Sequence, residues 1–177
     1  SLQERRKIKV MLMKRRILSL LVDNTSGVLS RVAGLFSRRG YNIDSLTVGE
    51  TADPRYSRMT VMASGDEMIL EQITKQLTKL IDVVDIKVLE EGKSVSRELV
   101  LVKVRADIQD REAIITIANV FRGNIIDVGK DSLIVELTGD QSKLDAFLQL
   151  LSDYEILELA RTGITGLSRG SDDIRYL

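Results

Sequence analysis

The chain contains no cysteine, no histidine and no tryptophan, and a single proline among its 177 residues. Without cysteine there is no disulfide framework. Without Cys or His the usual zinc, iron–sulfur and haem ligand sets are gone, and so is Ser-His or Cys-His nucleophilic catalysis. Carboxylates and lysine remain as catalytic groups, so these absences favour binding or regulation without forbidding an enzyme. An excess of one charge is missing too: 26 basic side chains balance 26 acidic ones. A broad field that would draw in nucleic acid or an anionic membrane is therefore not expected. Aromatics make up only 4%, too few for the stacking platforms of an RNA-binding sheet. No apolar run approaches the ~20 residues that cross a bilayer. No secretory apolar core lies near the start, so the cytoplasm is the expected compartment.

What is present is an alternation of short strands and amphipathic helices. Residues 1–13 are a charged extension, either a short helix or without fixed structure. Residues 16–22 form an apolar run bounded by Asp23-Asn24, the pattern of a buried strand. Asp23 to Gly27 is a turn cluster with several candidate helix N-caps. Leu29, Val32, Ala33 and Phe36 then recur at helical spacing, with Gly40 as the stop. Gly34 inside this helix is either a tolerated defect or a point of close packing. In residues 41–51, Ile43, Ser45, Thr47 and Gly49 alternate against Asn42, Asp44, Leu46 and Val48. Ala52-Asp53-Pro54-Arg55 marks a hairpin turn. A third strand at 56–64, a helix with Ile69, Ile73, Leu77 and Leu80 on one face, and a strand at 83–89 complete a βαββαβ order over residues 14–90.

Residues 91–96 are a polar break and the expected linker. The order then repeats in residues 97–177. It comprises a strand at 98–106, a helix with Ile114, Ile117, Ala118 and Phe121, a hairpin at 124–137, a helix with Leu144, Phe147, Leu148 and Leu151, and a strand at 156–160. Gly40-Tyr41-Asn42-Ile43-Asp44 aligns with Gly123-Asn124-Ile125-Ile126-Asp127, and Ser64-Gly65-Asp66 with Thr138-Gly139-Asp140. The expected fold class is α+β, two tandem ferredoxin-like βαββαβ domains. Strand 16–22 is apolar on both alternations, Leu18, Leu20 and Val22 against Ile17 and Leu21. A lone first domain would expose one set, so a homodimer through residues 14–90 is expected.

The most informative chemistry lies after the first strand, in Asn24-Thr25-Ser26-Gly27-Val28-Leu29. A helix start offers free backbone N–H groups and partial positive charge, and Gly27 lets a ligand approach closely. Walker and Rossmann glycine spacings are absent, so a small carboxylate fits better than a nucleotide. An ordinary capped helix start explains the same residues. Asn42 could supply an amide to a carboxylate or an ammonium and so complete an amino-acid site with Asn24 and Gly27. Asp82 with Asp85, Glu90 with Glu91, and Asp172 with Asp173 have no calcium-loop spacing and are expected on solvated surface, as is Arg38-Arg39.

Longer motifs carry a resemblance. Arg16-Ile17-Leu18-Ser19, Asn24-x-x-Gly27-Val28-Leu29-Ser30-Arg31 and the run from Leu35 to Val48 closely resemble the small regulatory subunit of acetohydroxyacid (acetolactate) synthase. So do Ser57-Arg58-Met59-Thr60, Arg97-Glu98-Leu99-x-Leu101-Val102-Lys103 and Phe121-Arg122-Gly123-x-Ile125-Ile126-Asp127-Val128. The last match is Arg161-Thr162-Gly163-Ile164-x-Gly166-Leu167-Ser168-Arg169-Gly170. The resemblance covers nearly all of residues 14–170 and departs at the amino-terminal extension and between motifs.

The resemblance implies an ACT domain over 14–90, pairing with a second copy, and a ferredoxin-like carboxy-terminal domain. It implies a non-catalytic subunit that binds valine or another branched-chain amino acid at the interface of the paired ACT domains, activates the catalytic large subunit and confers feedback inhibition in branched-chain amino-acid biosynthesis. No cofactor is expected in this chain; thiamine diphosphate, magnesium and FAD belong to the large subunit. Carried across by motif, the effector residues are Asn24, Gly27 and Asn42, with Ser26, Val28, Leu29 and Ile43 as neighbours lining the pocket. The rival readings are a stand-alone amino-acid sensor of another enzyme or of transcription, and a small carboxylate-based enzyme. The first lacks an evident helix-turn-helix and basic stripe.

Overall fold

The computed structural model describes residues 1–171. The amino-terminal extension is helix α1 (Leu2–Leu12), opened by a capping box in which Ser1 and Glu4 satisfy each other's backbone N–H groups. The first βαββαβ follows as β1 (Lys14–Asp23), α2 (Val28–Arg39), β2 (Asn42–Glu50), β3 (Tyr56–Gly65), α3 (Glu67–Thr78) and β4 (Val83–Leu89). Its antiparallel sheet has the order β2-β3-β1-β4. Leu18, Leu20 and Val22 of β1 and Met59, Val61 and Ala63 of β3 share one core with Val32 and Phe36 of α2 and Ile73 and Leu77 of α3. Each such side chain contributes roughly 1.5–3 kcal/mol on burial, so a one-residue slip of either central strand would be costly.

Two local expectations shift. The buried face of α2 is Val28, Val32, Leu35 and Phe36, while Leu29 is 48% exposed. The set at i, i+4, i+7 and i+8 serves the core as well as the set that starts at Leu29, and only the sheet chooses between them. In β2 a bulge at Asp44 breaks the alternation. Ile43 pairs with Ala63 and Leu46 with Val61, so both face the core, while Asn42, Ser45 and Thr47 face the other way.

The second βαββαβ comprises β5 (Ser94–Arg105), α4 (Ile108–Val120), β6 (Asn124–Val128), β7 (Ser132–Gly139), α5 (Gln141–Leu151) and β8 (Ile156–Arg161), with the order β6-β7-β5-β8. Val100, Val102 and Val104 of β5 and Leu133, Val135 and Leu137 of β7 pack with Ile114, Ala118, Leu144, Phe147 and Leu151. Its bulge follows Ile125, as the first follows Ile43. The two halves therefore align Asn42 with Asn124, one residue from the register that the shared text suggests. Gly40 then corresponds to Arg122, and both stand at positive φ.

The chain divides into two compact units, Ser1–Val95 joined by the described residues from Ile164 to Ser171, and Ser96–Gly163. The stretch expected as a linker is a turn at 91–93 that runs directly into β5. The end of the expected carboxy-terminal domain is grouped with the first unit as β9 (Thr165–Ser168), which pairs with β5 and contacts β3 and β4. On the sheet face opposite α2 and α3, Leu21 and Met62 are buried. The apolar set expected to await a second copy is thus not left open in the single chain. Among the described residues no helix is long and apolar enough to cross a membrane.

Candidate functional site

The helix start singled out by sequence is uncapped by any side chain. Asp23, Asn24, Thr25 and Ser26 were the candidates, yet the N-cap of α2 is Gly27 itself, at φ +85°. That left-handed conformation costs glycine nothing and strains most other residues. It leaves the first turn of α2 with no acidic residue and no side-chain acceptor, so the positive end of the helix dipole is unopposed locally. Ser26 is exposed beside it, and Leu29 presents its side chain to the surface. Val28 differs, being 4% exposed and part of the core.

Asn24 is held within its own chain. Its N–H donates to the Arg55 carbonyl (2.8 Å), its Nδ2 to the Pro54 carbonyl (3.0 Å), and its Oδ1 accepts from Ser57 Oγ (3.2 Å). The side chain thereby fixes the hairpin turn against the exit of β1. Arg31, one helical turn beyond Gly27, places its guanidinium over that glycine: a Cβ at Gly27 would lie 2.8 Å from Nη1. Nε and Nη2 form a two-pronged ion pair with Asp82 (2.5 and 3.0 Å), and Nη2 also reaches the Ser26 carbonyl (3.4 Å). These hydrogen bonds hold the Asp82 carboxyl below the ordinary aspartate range, against the opposing effect of burial. Asp82 is accordingly not the solvated carboxylate that sequence suggests; it is buried, and Asp85 is half-buried. Glu90 and Glu91 are exposed, and the Asp172–Asp173 pair lies outside the described residues.

Asn42 is exposed at the opposite end of the sheet. It pairs with Ser64, which pairs with Arg15 at the start of β1, whereas Asn24 follows the end of β1. The two asparagines are therefore ~30 Å apart along the strand direction at ~3.3 Å per residue. Asn42 Nδ2 donates to Asp44 Oδ1 (2.7 Å) and to Ser64 Oγ (3.0 Å). Ile43 beside it packs on the core. One chain thus brings Asn24, Ser26, Gly27 and Leu29 together and leaves Asn42 and Ile43 remote from them.

The helix start of the second half is likewise without a side-chain cap hydrogen bond but differs in charge. There α4 begins at Asp107, an acidic N-cap residue, and Arg111, the counterpart of Arg31, donates to the carbonyls of Gly129 and Lys130. Its helix start therefore carries its own negative charge. Among the described residues no three carboxylates gather as a metal site. Arg31 went unmarked in the sequence, although its i, i+4 spacing from Gly27 was the available signal. Its partner Asp82 is 51 residues away, which no local pattern reveals.

Comparison with known proteins places these features in a family. Residues 18–85 match the AHAS small subunit-like ACT domain, and residues 97–170 match the family described as the small subunit of acetolactate synthase. The chain is 56% identical to a probable acetolactate synthase small subunit of Methanothermobacter thermautotrophicus, over 88% of this chain and 93% of that one. It is 54% identical to the acetolactate synthase isozyme 3 small subunit of Salmonella typhimurium, over 91% and 99%. Among solved structures, the small subunit of acetolactate synthase from Thermotoga maritima is similar, with a TM-score of 0.83 and 43% identity over 89% and 99% of the two chains.

Proposed function

The chain belongs to the acetolactate synthase small-subunit family, and from that premise we propose that it is a non-catalytic cytoplasmic subunit that senses valine or another branched-chain amino acid. Its partner is the catalytic large subunit, which it activates and renders sensitive to the effector. Thiamine diphosphate, magnesium and FAD are held by that partner. The observation that carries the reading is the start of α2 at Gly27, free of any acidic residue and overlooked by a guanidinium, where the corresponding helix of the repeat starts at the acidic Asp107. Backbone N–H groups there would take the effector's carboxylate, with Leu29 beside its aliphatic side chain.

Asn42 completes this site only across two copies. β2 is an edge strand, and it runs in the same direction as β1 because both are antiparallel to β3. Two β2 edges pairing antiparallel about a two-fold axis would bring Asn42 of one copy toward the Gly27 end of the other, forming two equivalent sites. The homodimer then rests on this free edge rather than on an exposed apolar face. An effector bound between copies favours one arrangement of the pair and so acts on the bound large subunit through differential affinity.

Reconstitution tests the reading. The chain alone should form no acetolactate with all cofactors present, and adding it to the large subunit should raise activity. Valine should then inhibit the mixture more than the large subunit alone. Equal inhibition with and without this chain would contradict the regulatory role.

A further inference from the structure

The carboxy-terminal stretch has no part in the effector reading, yet it is tied to the same strand as Asn42. It leaves β8 through Arg161 and Thr162, turns at Gly163 (φ +88°) and continues as Ile164 into β9. Both sides of that glycine are fixed, each within its own unit. On one side Arg161 forms a two-pronged ion pair with the buried Glu98 (2.9 and 3.0 Å). Thr162 N–H donates to the Leu99 carbonyl (3.1 Å), and Leu99 N–H donates to Thr162 Oγ1 (3.1 Å). On the other side Ile164 is 4% exposed. Its N–H donates to Ser45 Oγ (2.8 Å), and its carbonyl accepts from Thr47 Oγ1 (2.9 Å). Further on, Gly166 is buried and Arg169 N–H donates to the Lys93 carbonyl (2.8 Å).

Ser45 and Thr47 stand on β2 close after Asn42, on the same sheet face. A single residue, Gly163, therefore separates a firm hold on the second unit from a firm hold on the strand that carries Asn42. We propose that the segment from Gly163 to Ser168 is the link through which effector occupancy of the first unit reaches the second, with Ser45 and Thr47 as positioning residues that keep it on β2. The proposal rests on the effector reading above. A shift of β2 on joining the effector must carry Ile164 with it, because leaving would strand buried hydrogen-bonding groups. Gly163 can rotate but cannot lengthen, since consecutive Cα atoms stay ~3.8 Å apart, so the shift passes to Thr162 and β8. Thr60, opposite Thr47 on β3, has a buried hydroxyl with no partner among the described residues.

The test uses the full chain reconstituted with the large subunit. Ser45→Ala combined with Thr47→Val removes both side-chain bonds to Ile164. Inserting two glycines after Gly163 keeps every bond and adds slack, so it carries the test if the double substitution fails to fold. Both variants are expected to bind valine within about 3-fold of the wild-type Kd, to activate the large subunit normally and to lose most valine inhibition. Hydrogen exchange should show valine altering protection at residues 156–162 and 164–169 in the wild type, but only at 164–169 in the insertion variant. Full inhibition of the insertion variant, or unchanged exchange at 156–162 in valine-bound wild type, overturns the link and leaves the effector reading standing. A wild-type chain that binds no valine overturns the effector reading, and the link with it.

Discussion

At the scale of residues, Gly27 decides what the helix start can accept. Its left-handed backbone and the closeness of Arg31 Nη1 to any added Cβ act together against substitution. Gly27→Asp would bring a second carboxylate to the proposed carboxylate position, displace Arg31 from Asp82 and fill the space that glycine leaves. Asp is among the few residues that tolerate the left-handed region, so the chain is expected to fold. Losing one charged hydrogen-bonding arrangement is worth ~1.5–3 kcal/mol, or ~10- to 100-fold in affinity. Calorimetric titration with valine should show a loss in that range for Gly27→Asp and a smaller one for Asn42→Ala, with large-subunit binding kept. Wild-type affinity in Gly27→Asp would contradict the placement of the site. Gly27 and Asn42 were legible in sequence because each stands at the boundary of an element. That Asn24 bonds to Pro54 and Ser57 was not, since those contacts depend on how β1 and β3 align.

At the scale of elements, β2 carries most of the proposed function: Asn42 at its start, Ser45 and Thr47 toward Ile164, and the edge position in its sheet. Val48, 47% exposed near its end, gives a handle on that edge. A lysine on an edge strand opposes pairing with another chain. Val48→Lys is therefore expected to weaken the dimer at least about 10-fold by sedimentation equilibrium, with the monomer still folded. A wild type that sediments only as monomer at micromolar concentration would contradict edge pairing. Element existence was legible, since short apolar runs, helical spacing and turn residues agree in both halves. The details that failed depend on neighbours in space. The face of α2 was misjudged because Val28 and Leu29 are equally apolar. The bulge at Asp44 was passed over although it leaves a mark, the two consecutive polar residues Asp44-Ser45 between Ile43 and Leu46, because a strict two-residue alternation was read through it. β9 was missed because four residues, Thr165-Gly166-Leu167-Ser168, are too few to show a period.

At the scale of the whole molecule, the absence of histidine and cysteine makes a prediction about pH. Asp82, Glu67 and Glu158 are held below the ordinary carboxylate range, chiefly by hydrogen bonds from Arg31, Lys14 and Lys103. Their contribution is present above the unfolded values and is lost as pH falls through the lowered ones, below about pH 4. Lys103 is raised by Glu158, and its contribution is lost only as pH rises past about 10. No side chain ordinarily titrates between these ranges, so urea midpoints should be flat from about pH 5 to 9; a slope there would contradict this. The two-domain plan was legible because the same order of elements occurs twice; the family resemblance implies an effector bound between paired copies, and the register of β1, β2 and β3 supports that proposed need for two copies at the site. That need is tested most directly by mixing. Gly27→Asp and Asn42→Ala chains, each impaired alone, are unfolded together, refolded and titrated with valine. A site shared between copies predicts one intact site in each mixed dimer and the return of wild-type affinity at reduced stoichiometry; a mixture that binds no better than its separate components would contradict it.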